Sequence, residues 1–173
     1  MSVNGAVSPG VRIGAQAGFG LVLANLAWQA LLWSTGLNER PALLAVFYLL
    51  LVVAIVAATF LARRAGAGFA GVLGAGVVAA ILGGIGVAAM MYVFLNLIGG
   101  GVLPPAIVAS METLRAEAAA GADVADRIAS LEALTPTTFA LLSGAQTAVI
   151  GVIAAAVFGA VAMVALRPRG LAG

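Results

Sequence analysis

The chain has 173 residues, of which 64% are hydrophobic and 8% are charged, and its formal net charge is +2. Soluble globular domains are about 25% charged, and a domain this small cannot bury so much apolar surface, so the composition excludes a water-soluble protein. The arginines lie beside apolar segments rather than in one cluster, which argues against a nucleic-acid-binding protein and makes the lipid bilayer the expected surroundings.

Four apolar segments are long enough to cross a bilayer as helices. A hydrocarbon core of about 30 Å requires about 20 helical residues at 1.5 Å per residue. The predicted spans cover about residues 13–33, 42–62, 69–97 and 137–166. We therefore predict an all-α membrane protein, in which residues 1–173 form a single transmembrane domain built as a four-helix bundle.

Proline and threonine residues mark the starts of two of these spans. Pro41 suits the first helical position before the second span, because its missing N–H has no partner in the first turn of a helix. Thr135-Pro136 has the pattern of an N-cap followed by a first helical proline at the fourth span.

The polar segment 106–134 between the third and fourth spans carries half of the charged residues. Gly121 divides it, and Asp123 is placed to act as the N-cap of its second half, with Asp126 in the first turn. Its apolar residues recur at helical spacing in two stripes, which are Ile107, Met111, Leu114 and Ala118, and then Val124, Ile128 and Leu131. We predict two short amphipathic helices, which either cap the outer ends of the spans or dock a partner.

The arginines beside the spans predict the orientation. Cationic flanks stay in the cytoplasm. One side of the predicted topology has five arginines, which are Arg12, Arg63, Arg64, Arg167 and Arg169. The other side has Arg40, Arg115 and Arg127, and five acidic residues accompany the last two. We therefore expect both termini in the cytoplasm and the amphipathic segment outside it.

Three amide side chains lie within the apolar spans. Asn25 and Gln29 are four residues apart and share a helix face, and Gln146 lies at a matching depth, about 15 Å from the outer boundary. We predict that the first and fourth spans touch and that Asn25 or Gln29 hydrogen-bonds Gln146, a contact worth about 0.6–2 kcal/mol between helices in lipid. The alternative is that the three amides line a small passive transporter or pore.

Small residues recur at steps of three and four in the fourth span. This predicted packing seam consists of Gly144, Ala148, Gly151, Ala155 and Gly159. Small residues at such spacing let helix backbones approach closely in lipid. We expect tight packing within the bundle, with dimerisation as the alternative.

The chain contains no cysteine, histidine or lysine. The usual thiolate and imidazole metal ligands and the amine that forms Schiff bases are therefore missing. No charged residue interrupts an apolar run, which argues against a proton-coupled pump. We predict a protein that is not an enzyme and that uses no cofactor and no metal.

The order of features resembles a family of bacterial four-span inner-membrane proteins known as domain of unknown function 4199. The matching features are Arg63-Arg64, Gly68-Phe69, Gly71, Pro104-Pro105, the segment 111–134 and Thr135-Pro136. The resemblance covers nearly the whole chain and implies four spans in the bacterial cytoplasmic membrane, but it implies no catalytic or binding residues. We expect a structural or accessory membrane component that contacts a membrane-protein partner or a second copy of itself.

Overall fold

The computed structural model describes residues 8–37, 43 and 45–166. Within these ranges the chain forms helices and no β-strand. The helices are α1 (Pro9–Ser34), α2 (Val46–Arg64), α3 (Phe69–Tyr92), α4 (Pro105–Ala119), α5 (Ala125–Glu132) and α6 (Pro136–Ala165), and a π-helical segment, Val93–Ile98, continues α3.

Within the described residues, four helical segments are long and apolar enough to cross a membrane. They are Pro9–Leu32, Val46–Arg64, Phe69–Ile98 and Pro136–Ala165. The predicted all-α fold class with four spanning helices is confirmed. The chain is therefore a multi-pass membrane protein, with two shorter helices between its third and fourth spans.

The span boundaries differ from the predicted ones by up to four residues, and the second span begins at Val46 instead of about residue 42. Helix α1 begins at Pro9, four residues before the predicted start, because Pro9 can occupy the first helical position and the Ser8 hydroxyl accepts a hydrogen bond from the Val11 N–H at 3.4 Å. Helix α2 extends to Arg64, since cations are favourable in the last turn of a helix. The predicted helix start at Pro41 and the flanking arginines Arg40, Arg167 and Arg169 lie outside the described residues.

Of the two predicted helix N-caps, the structure confirms one and contradicts the other. The N-cap at Thr135 is confirmed, because its hydroxyl accepts from the Thr138 N–H at 3.1 Å and its own N–H donates to the Thr138 hydroxyl at 3.3 Å. The cap at Asp123 is wrong, because Val124 is the N-cap of α5 and no side chain caps that helix. Val124 is only 7% exposed, so burial of its side chain decides where α5 begins.

The described chain divides into two compact units, with boundaries between Gly86 and Val87 in α3 and between Gly144 and Ala145 in α6. The first unit contains α1, α2 and most of α3 and α6. The second contains the end of α3, the π-helical segment, α4, α5 and the first turns of α6. The single domain over residues 1–173 stays a prediction.

Glycines on α1 bring its backbone against α3 in the first unit. Gly10, Gly14 and Gly18 are four residues apart. A β-carbon on Gly10 would overlap the Gly71 carbonyl oxygen, and one on Gly14 would overlap that of Ala75. Gly18 meets Ala79 and Leu82, again about four residues further along α3. Because both helices advance together, α1 and α3 run parallel.

Helix α6 packs against the same central helix in the opposite direction. A β-carbon on Gly151 would lie 2.6 Å from Ala80 Cβ, and one on Gly76 would lie 2.6 Å from Ala155 Cβ. Each step of four residues along α3 therefore matches a step of four backwards along α6, so the two helices are antiparallel. Parallel α1 and α3 with an antiparallel α6 is the arrangement that four alternating membrane crossings require.

The close approach of α1 to α3 predicts that a larger residue is tolerated at some glycines of α1 and not at others. In Gly14→Ala the new methyl group meets the rigid backbone of α3, so we expect a loss of about 1–3 kcal/mol of stability, as for other overpacked cores. A β-carbon on Gly20, also on α1, would have no neighbour within 4 Å. We expect Gly20→Ala to be neutral or slightly stabilising, because alanine has the higher helix propensity.

The measurement is thermal unfolding of the wild type and both variants in the same mild detergent. Equal unfolding temperatures for Gly14→Ala and Gly20→Ala would show that α1 does not contact α3 through Gly14.

Candidate interaction surfaces

The structure places the three predicted amide side chains in different surroundings. Asn25 is 3% exposed, Gln29 is half-buried and Gln146 is exposed. The amides therefore do not share one environment. The hydrogen bond between Gln146 and either Asn25 or Gln29 stays a prediction.

The packing of α6 explains why Gln146 is exposed. Gly151, Ala155 and Gly159, three residues of the predicted seam, are buried and lie near α3. Of the other two, Gly144 is buried and Ala148 is half-buried. At about 100° of rotation per residue, Gln146 lies almost opposite Gly151 and Ala155 on the helix. The small-residue face of α6 thus turns inwards and carries Gln146 outwards.

Gln146 also lies deep along its helix. It is ten residues from Pro136, which corresponds to about 15 Å at 1.5 Å per residue. For a hydrocarbon core about 30 Å thick that begins near Pro136, this depth corresponds to the middle of the membrane. Hydrocarbon offers no hydrogen-bond partner to a primary amide, so its exposure there is unfavourable unless another polar group covers it.

The interior of the first unit is mainly apolar. Leu51, Ile55 and Val72 are fully buried, together with alanines of α2, α3 and α6. The buried Thr59 hydroxyl donates within its own helix, to the carbonyls of Ile55 at 2.9 Å and Val56 at 3.0 Å. A pore lined by Asn25, Gln29 and Gln146 would need all three amides around one cavity, and the exposed position of Gln146 gives that alternative no support.

Arg63 joins helix ends at one end of the first unit. Its Nε donates to the Leu166 carbonyl just after α6 at 3.2 Å, and its guanidinium also contacts the Ala67 carbonyl at 3.5 Å. A cation is favourable beside the free carbonyls of a helix C-terminus. Gly10, near the start of α1, contacts Gly71 in the first turn of α3. The start of α1, the α2–α3 turn and the end of α6 therefore lie at the same end of the first unit.

The second unit contains the two predicted amphipathic helices. They are confirmed as α4 and α5, and they pack against each other. Leu114 and Val124 are buried, whereas Gly121 between the helices has a φ of +90°, which suits glycine. Every residue of the two predicted apolar stripes except Ala118 is buried or half-buried.

A polar cleft of about 560 Å³ lies between α4 and α5. Carboxylates of Glu117 and Asp126, the guanidinium of Arg127 and three hydroxyl groups line it, above Leu114 and Leu131. An ion pair between Arg115 and Glu132, at 2.8 Å, also joins the two helices. Because those side chains are 57% and 50% exposed, the pair contributes about 1 kcal/mol or less.

The start of α6 is tied to the π-helical segment. The Asn96 amide donates to the Tyr92 carbonyl at 3.1 Å, and the Thr137 hydroxyl donates to the Asn96 side-chain oxygen at 3.3 Å. Gly100 and Gly101 then take positive φ angles of 66° and 82°, a conformation that favours glycine. The positive φ angles explain the last two residues of the glycine triplet that follows the third span.

Comparisons of the chain with protein-family models, with curated proteins and with solved structures found no match.

Burial of Leu114 predicts that apolar packing, and not the ion pair, holds α4 to α5. Leu114→Ala removes a side chain that is 5% exposed, so we expect a loss of about 2–5 kcal/mol in the local unfolding free energy. Val108→Ala, which trims an apolar residue of α4 that is 39% exposed, is the control. Hydrogen exchange should become at least tenfold faster in α5 in Leu114→Ala only. Unchanged exchange there would contradict the packing of α4 on α5 through Leu114.

Proposed function

We propose that this protein is a structural or accessory component of the bacterial cytoplasmic membrane that acts by binding a membrane protein, and not by catalysis. The exposed Gln146, ten residues inside α6, is the observation that supports this proposal. A helix whose outer face met only lipid would be expected to carry apolar side chains at this depth. A polar partner at the same depth would satisfy the amide.

The outer face of α6 offers a surface for such a partner. Gly151, Ala155 and Gly159 of the seam contact α3. Val149 and Ile153, beside Gln146, are 60% and 61% exposed. A hydrogen bond between helices in lipid contributes only about 0.6–2 kcal/mol, so Gln146 would specify the association and packing along α6 would supply the rest.

We predict that wild-type protein purified in mild detergent has a particle mass above that of one 17.0 kDa chain. Gln146→Leu keeps the size of the side chain and removes its amide, so we expect the fraction of associated protein to fall several-fold. Gln16→Leu is the control, because Gln16 is also exposed but lies on a different helix, α1, and is closer to the start of its span than Gln146 is.

Light scattering coupled to size-exclusion chromatography measures the protein mass in each sample. A wild-type protein that is monomeric in several mild detergents and in lipid nanodiscs would overturn the proposed function.

We also propose that the end of the first unit with the α2–α3 turn faces the cytoplasm, so that both chain termini lie there. Arg12, Arg63 and Arg64 support this orientation because basic flanks are retained on the cytoplasmic side. The same features, with the order of the four spans, support membership of the domain of unknown function 4199 family.

Single cysteines test this orientation, because the natural chain has none. Ala65 in the α2–α3 turn and Ala129 in α5 are both exposed. In intact cells we expect a membrane-impermeant maleimide to label Ala129→Cys and not Ala65→Cys, and to label both after the membrane is opened. Labelling of Ala65→Cys alone in intact cells would reverse the proposed orientation.

A further inference from the structure

We infer that the partner at the outer face of α6 is a second copy of this chain, bound in a parallel, two-fold symmetric dimer. This inference rests on the proposed function, since it names the membrane protein that covers Gln146. Three properties of the described surface lead to it, which are its residue spacing, the chemistry of the amide and the position of its small residues.

The exposed residues of this face form a regular stripe. We call it the α6 stripe, and it consists of Gln146, Val149, Ile153, Ala156 and Ala160, all of which are exposed. The steps of three, four, three and four average 3.5 residues. Two helices that meet along a 3.5-residue repeat stay in contact over their length with a shallow left-handed crossing.

The amide at one end of the α6 stripe complements itself. A glutamine side chain carries an acceptor oxygen and a donor NH₂ group. In a two-fold symmetric interface the same residues meet from both subunits, so Gln146 of one copy lies beside Gln146 of the other and each amide can donate to its counterpart. A different partner would need its own polar side chain at this depth, whereas a second copy has it by symmetry.

The remainder of the α6 stripe fits a close helix pair. Ala156 and Ala160 are small enough for two backbones to approach, as at other helix contacts in lipid. Val149 and Ile153 lie between them and Gln146. A single polar residue in such a stripe fixes the register of two helices, so the dimer should have one alignment rather than a sliding contact.

Neighbouring residues of α6 provide matched tests of this geometry. Ala160 lies on the α6 stripe, whereas Val161, one position further, is 47% exposed on a different face. The two positions have nearly the same depth along α6 and differ in direction by about 100°.

The experiment is disulfide formation in the full-length protein, purified and reconstituted in vesicles of phosphatidylethanolamine and phosphatidylglycerol. We expect Val149→Cys and Ala160→Cys to form disulfide-linked dimers on mild oxidation. Val161→Cys should give at least fivefold less dimer than Ala160→Cys. Equal yields at these two positions would overturn the inference, because random encounters in the bilayer would produce that result.

The amide is tested by adding Gln146→Leu to the Ala160→Cys protein. We expect dimerisation at least about threefold to thirtyfold weaker, the range that corresponds to the loss of one of the two amide hydrogen bonds. Gln146→Asn, which keeps a self-complementary amide, should retain more dimer than Gln146→Leu. Circular dichroism and unfolding temperature check that each variant is folded. A folded Gln146→Leu variant with wild-type dimer yield would overturn the role of the amide.

The same cysteines in native membranes separate this inference from the proposed function. A disulfide-linked product of Val149→Cys and Ala160→Cys whose mass spectrum shows a different membrane protein would overturn the dimer and keep the proposed function. Absence of any product at both stripe positions, with a monomeric wild type, would overturn both. A product of two identical chains supports both.

Discussion

The absence of a hydrophobic driving force between helices in lipid is the constraint on which this structure depends. An apolar side chain that faces acyl chains gains little by facing another helix instead, so packing and close backbone contact must hold the bundle together. The described contacts have this character: Gly14 of α1 lies against the backbone of Ala75, and Gly151 of α6 lies against Ala80. Helix α3 contributes small residues to both contacts and so holds α1 and α6 in place.

This packing also determines which face of α6 is available for binding. Because Gly151, Ala155 and Gly159 turn towards α3, the opposite side of the helix faces outwards and Gln146 lies on it. The same property that lets α6 join the bundle, a face of small residues, therefore presents a polar group on the outer side of the fourth span. The proposed association follows from the bundle itself and requires no separate binding domain.

The sequence contains enough information to predict the four spans, the helix pair α4 and α5, and the Thr135 cap, because apolar length, helical periodicity and capping chemistry are local properties. The cap at Asp123 could not be predicted in the same way, since burial of Val124 in the tertiary structure overrides local preference. The spacing of Gly10, Gly14 and Gly18 was a usable signal for the α1 contact. A helical wheel likewise shows from the sequence that Gln146 and the small-residue face of α6 lie on opposite sides of the helix.

Backbone proximity of small residues within the bilayer can be measured directly by solid-state NMR. In protein labelled with carbon-13 at glycine and alanine and reconstituted in lipid, we expect through-space cross-peaks between Gly14 Cα and Ala75 Cα and between Gly151 Cα and Ala80 Cβ. Observation of both would establish that α1 and α6 are held against α3 by contact at these residues. Absence of both, in spectra that resolve the four residues, would contradict this basis for the fold and for the outward position of Gln146.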